Sequence, residues 1–133
     1  MSTETEQKFV ISHYNENDFK REGLRVAAEY RDLGVAEATN GQYHAHVARI
    51  APGALKTRPP SKMHYHDLDF HMVYILKGWM QAEIVGHGPQ TMRAGCCWVQ
   101  PPGSHHKVLA QSEDLELIEV MSPAKFPTVN VDE

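Results

Sequence analysis

The sequence predicts an all-β fold, a sandwich or barrel, preceded by a polar N-terminal arm. Two observations carry this. Between residues 40 and 121 short apolar runs recur, bounded by Gly, Pro, Asn or Asp, and none shows a convincing helical period. The chain of 133 residues suits one domain, large enough to bury a core without disulfide staples, and it carries no internal repeat or low-complexity tract. The expected organisation is an arm over residues 1–20 that is flexible or docks on a neighbour, a β-barrel over 21–122 and a tail over 123–133.

The elements follow in order. The arm has one apolar patch, Phe9-Val10-Ile11. LRVAAEYRDL, from Leu24, reads as a strand, although Ala27, Ala28 and Glu29 also allow helix. The Asn40-Gly41 pair that follows is a hairpin signal, because both residues tolerate positive φ. QYHAHVARIA alternates as a strand should, and APGALKTRPPS is a loop. MHYH and FHMVYILKG are strands split by Asp67-Leu68-Asp69. WMQAEIV, QTMRAG with CCWVQ, HKVLAQ and LELIEVMS supply the rest, punctuated by the turns GHGP and PPGSHH. The tail PAKFPTVNVDE, with two prolines, is expected to wrap the outside. In FHMVYIL both faces are apolar, so the outward face needs a cover, and a homodimer is expected. Trp79, Trp98, Tyr74 and Phe70 are expected to pack, and Cys96 and Cys97 to be small buried strand residues.

Composition excludes several classes. Hydrophobic residues make up 41% and charged residues 23%, ordinary for a globular protein. A net charge of −4 gives no basic footprint for nucleic acid or an anionic membrane. No apolar run approaches the roughly 18 residues of a membrane span, and MSTETEQKF lacks the apolar segment of a secretory signal. Adjacent Cys96 and Cys97 make a poor structural disulfide, which points to a reducing cytoplasm.

The unusual count is nine histidines. Histidine is the commonest metal ligand, so position decides what they mean. His64 and His66 are two apart on a strand and share a face. His71 would fall on the opposite face of one continuous strand, unless Asp67-Leu68-Asp69 bends the chain and resets the alternation. His105 and His106 follow Pro101-Pro102-Gly103; alternation sends them to opposite faces, and His105 is expected to face solvent.

These residues carry a resemblance. His64-x-His66, four residues, His71, six residues and Gly78 resemble the first cupin motif. That motif runs glycine, five residues, His-x-His, three or four residues, glutamate, six residues, glycine. Gly95, five residues, Pro101-x-Gly103-x-x-His106 resemble the second. The chain is thus identified as a small single-domain cupin over roughly residues 40 to 120, which implies a jelly-roll barrel (the double-stranded β-helix). The resemblance implies metal ligands at His64, His66 and His106. The family's acid falls on His71, its first glycine on Arg58 and its final asparagine on Ala110. With His71 as a fourth ligand the site holds four neutral imidazoles, and the ion keeps its full charge as a Lewis acid for anionic or chelating ligands. Alternatively His71 hydrogen-bonds from outside the ligand set.

The implied cofactor is one divalent transition metal per chain. Fe(II) or Mn(II) is favoured because a six-coordinate ion keeps open positions; Zn, Ni or Cu would also accept imidazoles. His44-Ala45-His46 is a competing pair without the downstream glycine; His46 is expected to line the pocket or support a ligand. His87, in its Gly-His-Gly turn, is expected to be solvated. No general base is evident, which fits chemistry carried by the metal. The reaction that the resemblance implies is dioxygenation of a small chelating molecule. The alternatives are a metal-dependent lyase or isomerase without redox change, and a ligand-binding barrel without catalysis.

Overall fold

The computed structural model describes residues 6–21, 28–51 and 62–131. Two five-stranded antiparallel sheets face each other. One has the order β1 (Ala28–Asp32), β2 (His44–Ile50), β9 (Glu116–Ser122), β4 (Phe70–Lys77), β7 (Cys97–Val99). The other has the order β10 (Thr128–Asn130), β3 (His64–His66), β8 (His106–Gln111), β5 (Trp79–Ile84), β6 (Gly88–Arg93). From β3 onward the chain keeps crossing between the sheets, as a jelly roll requires.

Strand β4 shows why these residues make this fold. Its alternation buries His71, Val73 and Ile75 and leaves Phe70, Tyr74 and Leu76 partly in water. Ile75 is fully buried and packs with Ala48, Val73, Ala82, Met92, Leu115 and Leu117. This cluster fills one end of the space between the sheets. The inward residues further along the same strands, His71 on β4 and Met121 on β9, face the other end together with His44 on β2. Each large apolar side chain taken from water contributes roughly 1.5–3 kcal/mol, so one end supplies stability and the other is left for polar groups.

Gly78 closes β4 at φ +77°, a left-handed conformation. A Cβ there would run into the Ser112 hydroxyl, sit 2.6 Å from Asp114 Oδ1 and 3.0 Å from the Leu115 backbone. The glycine that ends the first histidine motif is therefore required by the close approach of the β8–β9 turn.

Asp67-Leu68-Asp69 carries the chain from one sheet to the other. Leu68 is buried, and the amides of Asp67 and Asp69 donate to Pro127 O at 3.0 Å and Ser122 O at 2.7 Å. The crossing resets the alternation, so His71 is buried as His64 is.

Several expectations need correction. Asn40 and Gly41 both have positive φ, yet they form no two-residue hairpin. They end a one-turn helix, α1 (Val35–Ala38), with Gly41 N–H donating to Ala36 O at 2.9 Å, and β1 and β2 pair across this longer connection. The tail does not merely wrap the outside; β10 adds an edge strand to β3. Cys97 is exposed rather than buried, because alternation on β7 gives the inward place to Trp98 beside Val73; Cys96, which precedes the strand, is half-buried against the core cluster. Phe70 and Tyr74 point outward, 37% and 39% exposed. The APGALKTRPPS loop falls mostly on residues outside those described, as do residues 24–27 of the first expected strand.

The described part of the arm is tied down. Phe19 is buried under the Arg49 guanidinium, 3.7 Å from its ring centroid, and Arg49 also pairs with Glu16. Lys20 and Tyr30 form a β-bridge. Phe9 and Ile11 stay 88% and 62% exposed. Among the described residues no helix is long and apolar enough to cross a membrane.

Candidate metal centre

Three histidines from two adjacent strands converge. His64 and His106 face each other across β3 and β8 as direct Cα partners, and His66 follows two residues on. One ring nitrogen from each lies within 4.8 Å of the others. The ring centroids are 4.2 Å apart for His64 and His106, 5.0 Å for His64 and His66, and 5.1 Å for His66 and His106. His64 and His106 are buried, and His66 is half-buried.

The second nitrogen of each ring is held by an oxygen. His64 Nδ1 meets Lys62 O at 2.7 Å, His66 Nδ1 meets Thr128 Oγ1 at 2.8 Å, and His106 Nδ1 meets Ser104 O at 3.0 Å. A backbone carbonyl can only accept, so His64 and His106 carry their protons on Nδ1. Nε2 is then the nitrogen with a lone pair for a cation. This arrangement orients imidazole ligands around a metal and raises their basicity. The Gln100 amide touches the same His106 nitrogen and must turn its oxygen toward it if Nδ1 holds the proton. The donor set therefore fits a divalent transition metal.

His71 lies beside this trio but not within its set of nitrogens. Its ring centroid is 5.4 Å from that of His66, and its Nε2 donates to Glu119 Oε2 at 2.7 Å. His46 donates from Nε2 to the other oxygen, Oε1, at 2.9 Å. His46 Nδ1 in turn lies 3.0 Å from His44 Nε2, and one of these two nitrogens donates to the other. A row runs from His44 through His46 and Glu119 to His71, along the inner face of one sheet.

The register explains the row. Strand β9 lies between β2 and β4, and Glu119 is the direct partner of His46 on one side and Val73 on the other. His71 is the diagonal neighbour, within reach of a long side chain. Burial alone would raise the Glu119 pKa, but hydrogen bonds from His46 and His71 and their charge hold it well below its ordinary value. Burial, and then the charge of His46, lower the His44 pKa.

His105 stacks on Tyr65 at 5.1 Å, on the side away from His106, and is half-buried there rather than facing open solvent. His87 is exposed in its turn. Sequence reasoning missed Glu119, Gln100 and Thr128. The available signal was the spacing Leu117, Glu119, Met121, which puts a carboxylate on a core face; Ile118 and Val120 make the other face equally apolar and hide it. Glu119, bonded to His46 and His71, is an ionisable group that the sequence reading did not single out.

A cupin-domain family model matches residues 46–121, more than half of the chain. The chain belongs to the cupin family. Solved structures agree on the fold. The polyketide cyclase RemF from Streptomyces resistomycificus superposes with a TM-score of 0.69 at 19% identity, covering 93% of this cupin and 87% of that chain. KdgF from Halomonas sp. gives 0.63 at 17% identity, covering 86% and 96%. Oxalate decarboxylase from Bacillus subtilis gives 0.64 at 20% identity, covering 97% of this cupin but only 34% of the larger chain. Comparison with curated proteins gives no significant match.

Proposed function

We propose that this cupin is a metal-dependent enzyme acting on a small organic molecule that chelates the ion through oxygen atoms. The observation that carries this is the convergence of His64, His66 and His106, with their Nδ1 atoms turned outward onto protein oxygens. Those three residues would hold one divalent transition metal. Three neutral ligands would leave its charge undiminished, so that it polarises a bound carbonyl or carboxylate as a Lewis acid. Fe(II) and Mn(II) suit such a site when open positions are needed, and Zn, Ni and Cu suit its imidazoles.

Two reaction classes compete. An all-imidazole donor set supports the dioxygenase-type reading that the sequence resemblance implies. The His46–Glu119–His71 row supports a proton transfer without redox change, as in a lyase, isomerase or cyclase, and we favour it. Here the chain's own groups do the work beyond the metal: Glu119 fixes both imidazoles, and His71 stands where it can orient a substrate or hold its proton.

The experiment is turnover of diketones and of hydroxy or keto acids by metal-loaded protein, with and without oxygen, in deuterated water. Deuterium incorporation or rearrangement that proceeds equally without oxygen is the expected result. Oxygen uptake coupled to product establishes the dioxygenase reading instead. Tight binding with neither reaction leaves a ligand-binding barrel.

We further propose a homodimer that covers the outward face of β4 and β7. Phe70, Tyr74, Leu76 and Val99 expose 37–57% of their surface there, more apolar area than single scattered residues explain. Light scattering at micromolar concentration should give twice the 15.0 kDa chain mass, and a monomer mass removes the idea. The free cysteines suit a reducing compartment, which we take to be the cytoplasm.

A further inference from the structure

The His44-Ala45-His46 pair has no place in the trio, yet both rings lie on the inner face of β2, in line with Glu119. We propose that His44 is a specificity residue that receives the far end of the substrate. It hydrogen-bonds a hydroxyl group carried by the same molecule whose oxygens chelate the metal. This deepens the reading above and rests on it.

Three observations carry the inference. The first is an unused atom. His44 Nε2 meets His46 Nδ1 at 3.0 Å, and among the described residues nothing engages His44 Nδ1. A polar ring atom on an inner face needs a partner, from water or from a ligand.

The second is open space. Inner-face side chains at the other end of the barrel are sealed, Ile75 at 0% and Leu117 at 5% exposure. On the same face His44 is half-buried, and the His46 and Glu119 side chains keep 14% and 18% of their surface. Water therefore reaches this part of the interior. The groups around it are braced, since Glu119 fixes His46 and His46 fixes His44.

The third is position. His44 and His71 are the outer members of one rung, each a direct partner of Met121. Two strand spacings, about 10 Å, separate their backbones. His71 stands beside His66, with ring centroids 5.4 Å apart. A molecule held at the trio touches His44 only if it extends along the rung, so the smallest hydroxy acids cannot reach both.

The chemistry selects a hydroxyl. Burial, and then the charge of His46, lower the His44 pKa, so the ring is neutral near pH 7. A neutral ring in line with the Glu119 carboxylate gives no charge to attract a second anionic group. Nδ1 accepts when His44 donates to His46, and donates when His46 donates to His44. A hydroxyl matches both states, because it too donates and accepts. The substrate class is thus an oxygen chelator with a hydroxyl several carbons from its chelating head.

The test uses the full chain loaded with Co(II), with hydroxamic acids as probes. These are acetohydroxamate and straight-chain hydroxamates of increasing length, each with and without a terminal hydroxyl. Visible absorption gives the dissociation constants. At one chain length the terminal hydroxyl should tighten binding to wild-type protein about 3- to 10-fold, the worth of one hydrogen bond. That ratio should vanish in His44→Leu and in His44→Phe, which keeps a ring without a polar atom. Because the ratio is the readout, a general loss of affinity in a variant does not imitate the result. An advantage that survives in either folded variant overturns the proposal. So does acetohydroxamate binding to wild-type protein with no hydroxyl advantage at any length. If wild-type protein binds neither Co(II) nor acetohydroxamate, the chelating metal centre itself fails and the proposal with it.

Discussion

His64→Ala will strip the protein of metal. His64 is the central member of the trio: it partners His106 across the strands and neighbours His66 two residues away. Structural zinc sites with four ligands bind with roughly 10–16 kcal/mol, or about 2.5–4 kcal/mol per ligand. Losing one ligand of three should therefore weaken binding by at least about 100-fold. A ligand that binds only the folded state at 100 times its dissociation constant stabilises it by about 2.7 kcal/mol. In a domain of this size that raises the melting temperature by roughly 10 °C. Wild-type protein should show such a rise with Zn(II) or Ni(II) and lose it with a chelator, while His64→Ala shows neither. Metal content by mass spectrometry should fall from about one ion per chain to near none. An unchanged metal-induced shift in His64→Ala would move the site elsewhere.

The second large effect concerns Glu119 and is one of stability. Its carboxylate accepts from two histidines, and its side chain keeps only 18% of its surface open. Glu119→Gln replaces one accepting oxygen with an NH₂ group that faces an N–H donor. Breaking a buried charged pair by removing one partner costs roughly 3–5 kcal/mol, and residual exposure places this case near 3. The pH dependence has a definite sign. The folded pKa lies well below the ordinary 4.5, so the folded state binds fewer protons than the unfolded one around that pH. The contribution is fully present above about pH 4.5 and is lost as pH falls from there through the folded pKa. Urea unfolding should show a gap between wild type and Glu119→Gln that is constant near neutrality and narrows in acid below that value. A gap that widens in acid would mean that the carboxylate does not carry the charge assigned to it.

Much of this molecule could be read from residue order because its signals are local. Turn residues cut the chain into short runs, and strand alternation sorts each run into two faces, as Val73 and Ile75 inward against Tyr74 and Leu76 outward show. His64, His66 and His106 could be singled out because each sits at a fixed offset from a glycine or proline turn. Gly78 shows the physical basis: a contact with the next turn excludes a side chain there. Asn40-Gly41 misled because positive φ is required both in a tight hairpin and at the end of a helical turn. The pair could not say which, since the outcome depends on what the preceding residues do.

By itself the sequence determined the all-β class, the order of most strands and the three histidines that meet. The class and the strands follow from periodicity and turn residues, and the three histidines from the resemblance of their spacing to the two cupin motifs. Only the tertiary structure decided that the tail adds a strand and brings Thr128 to His66. Only it decided that Glu119 lies between His46 and His71. Those partners are 73 and 48 residues away, and they depend on which strands are neighbours and in what register. Strand neighbours are chosen by the packing of the whole barrel, and no local pattern carries that choice.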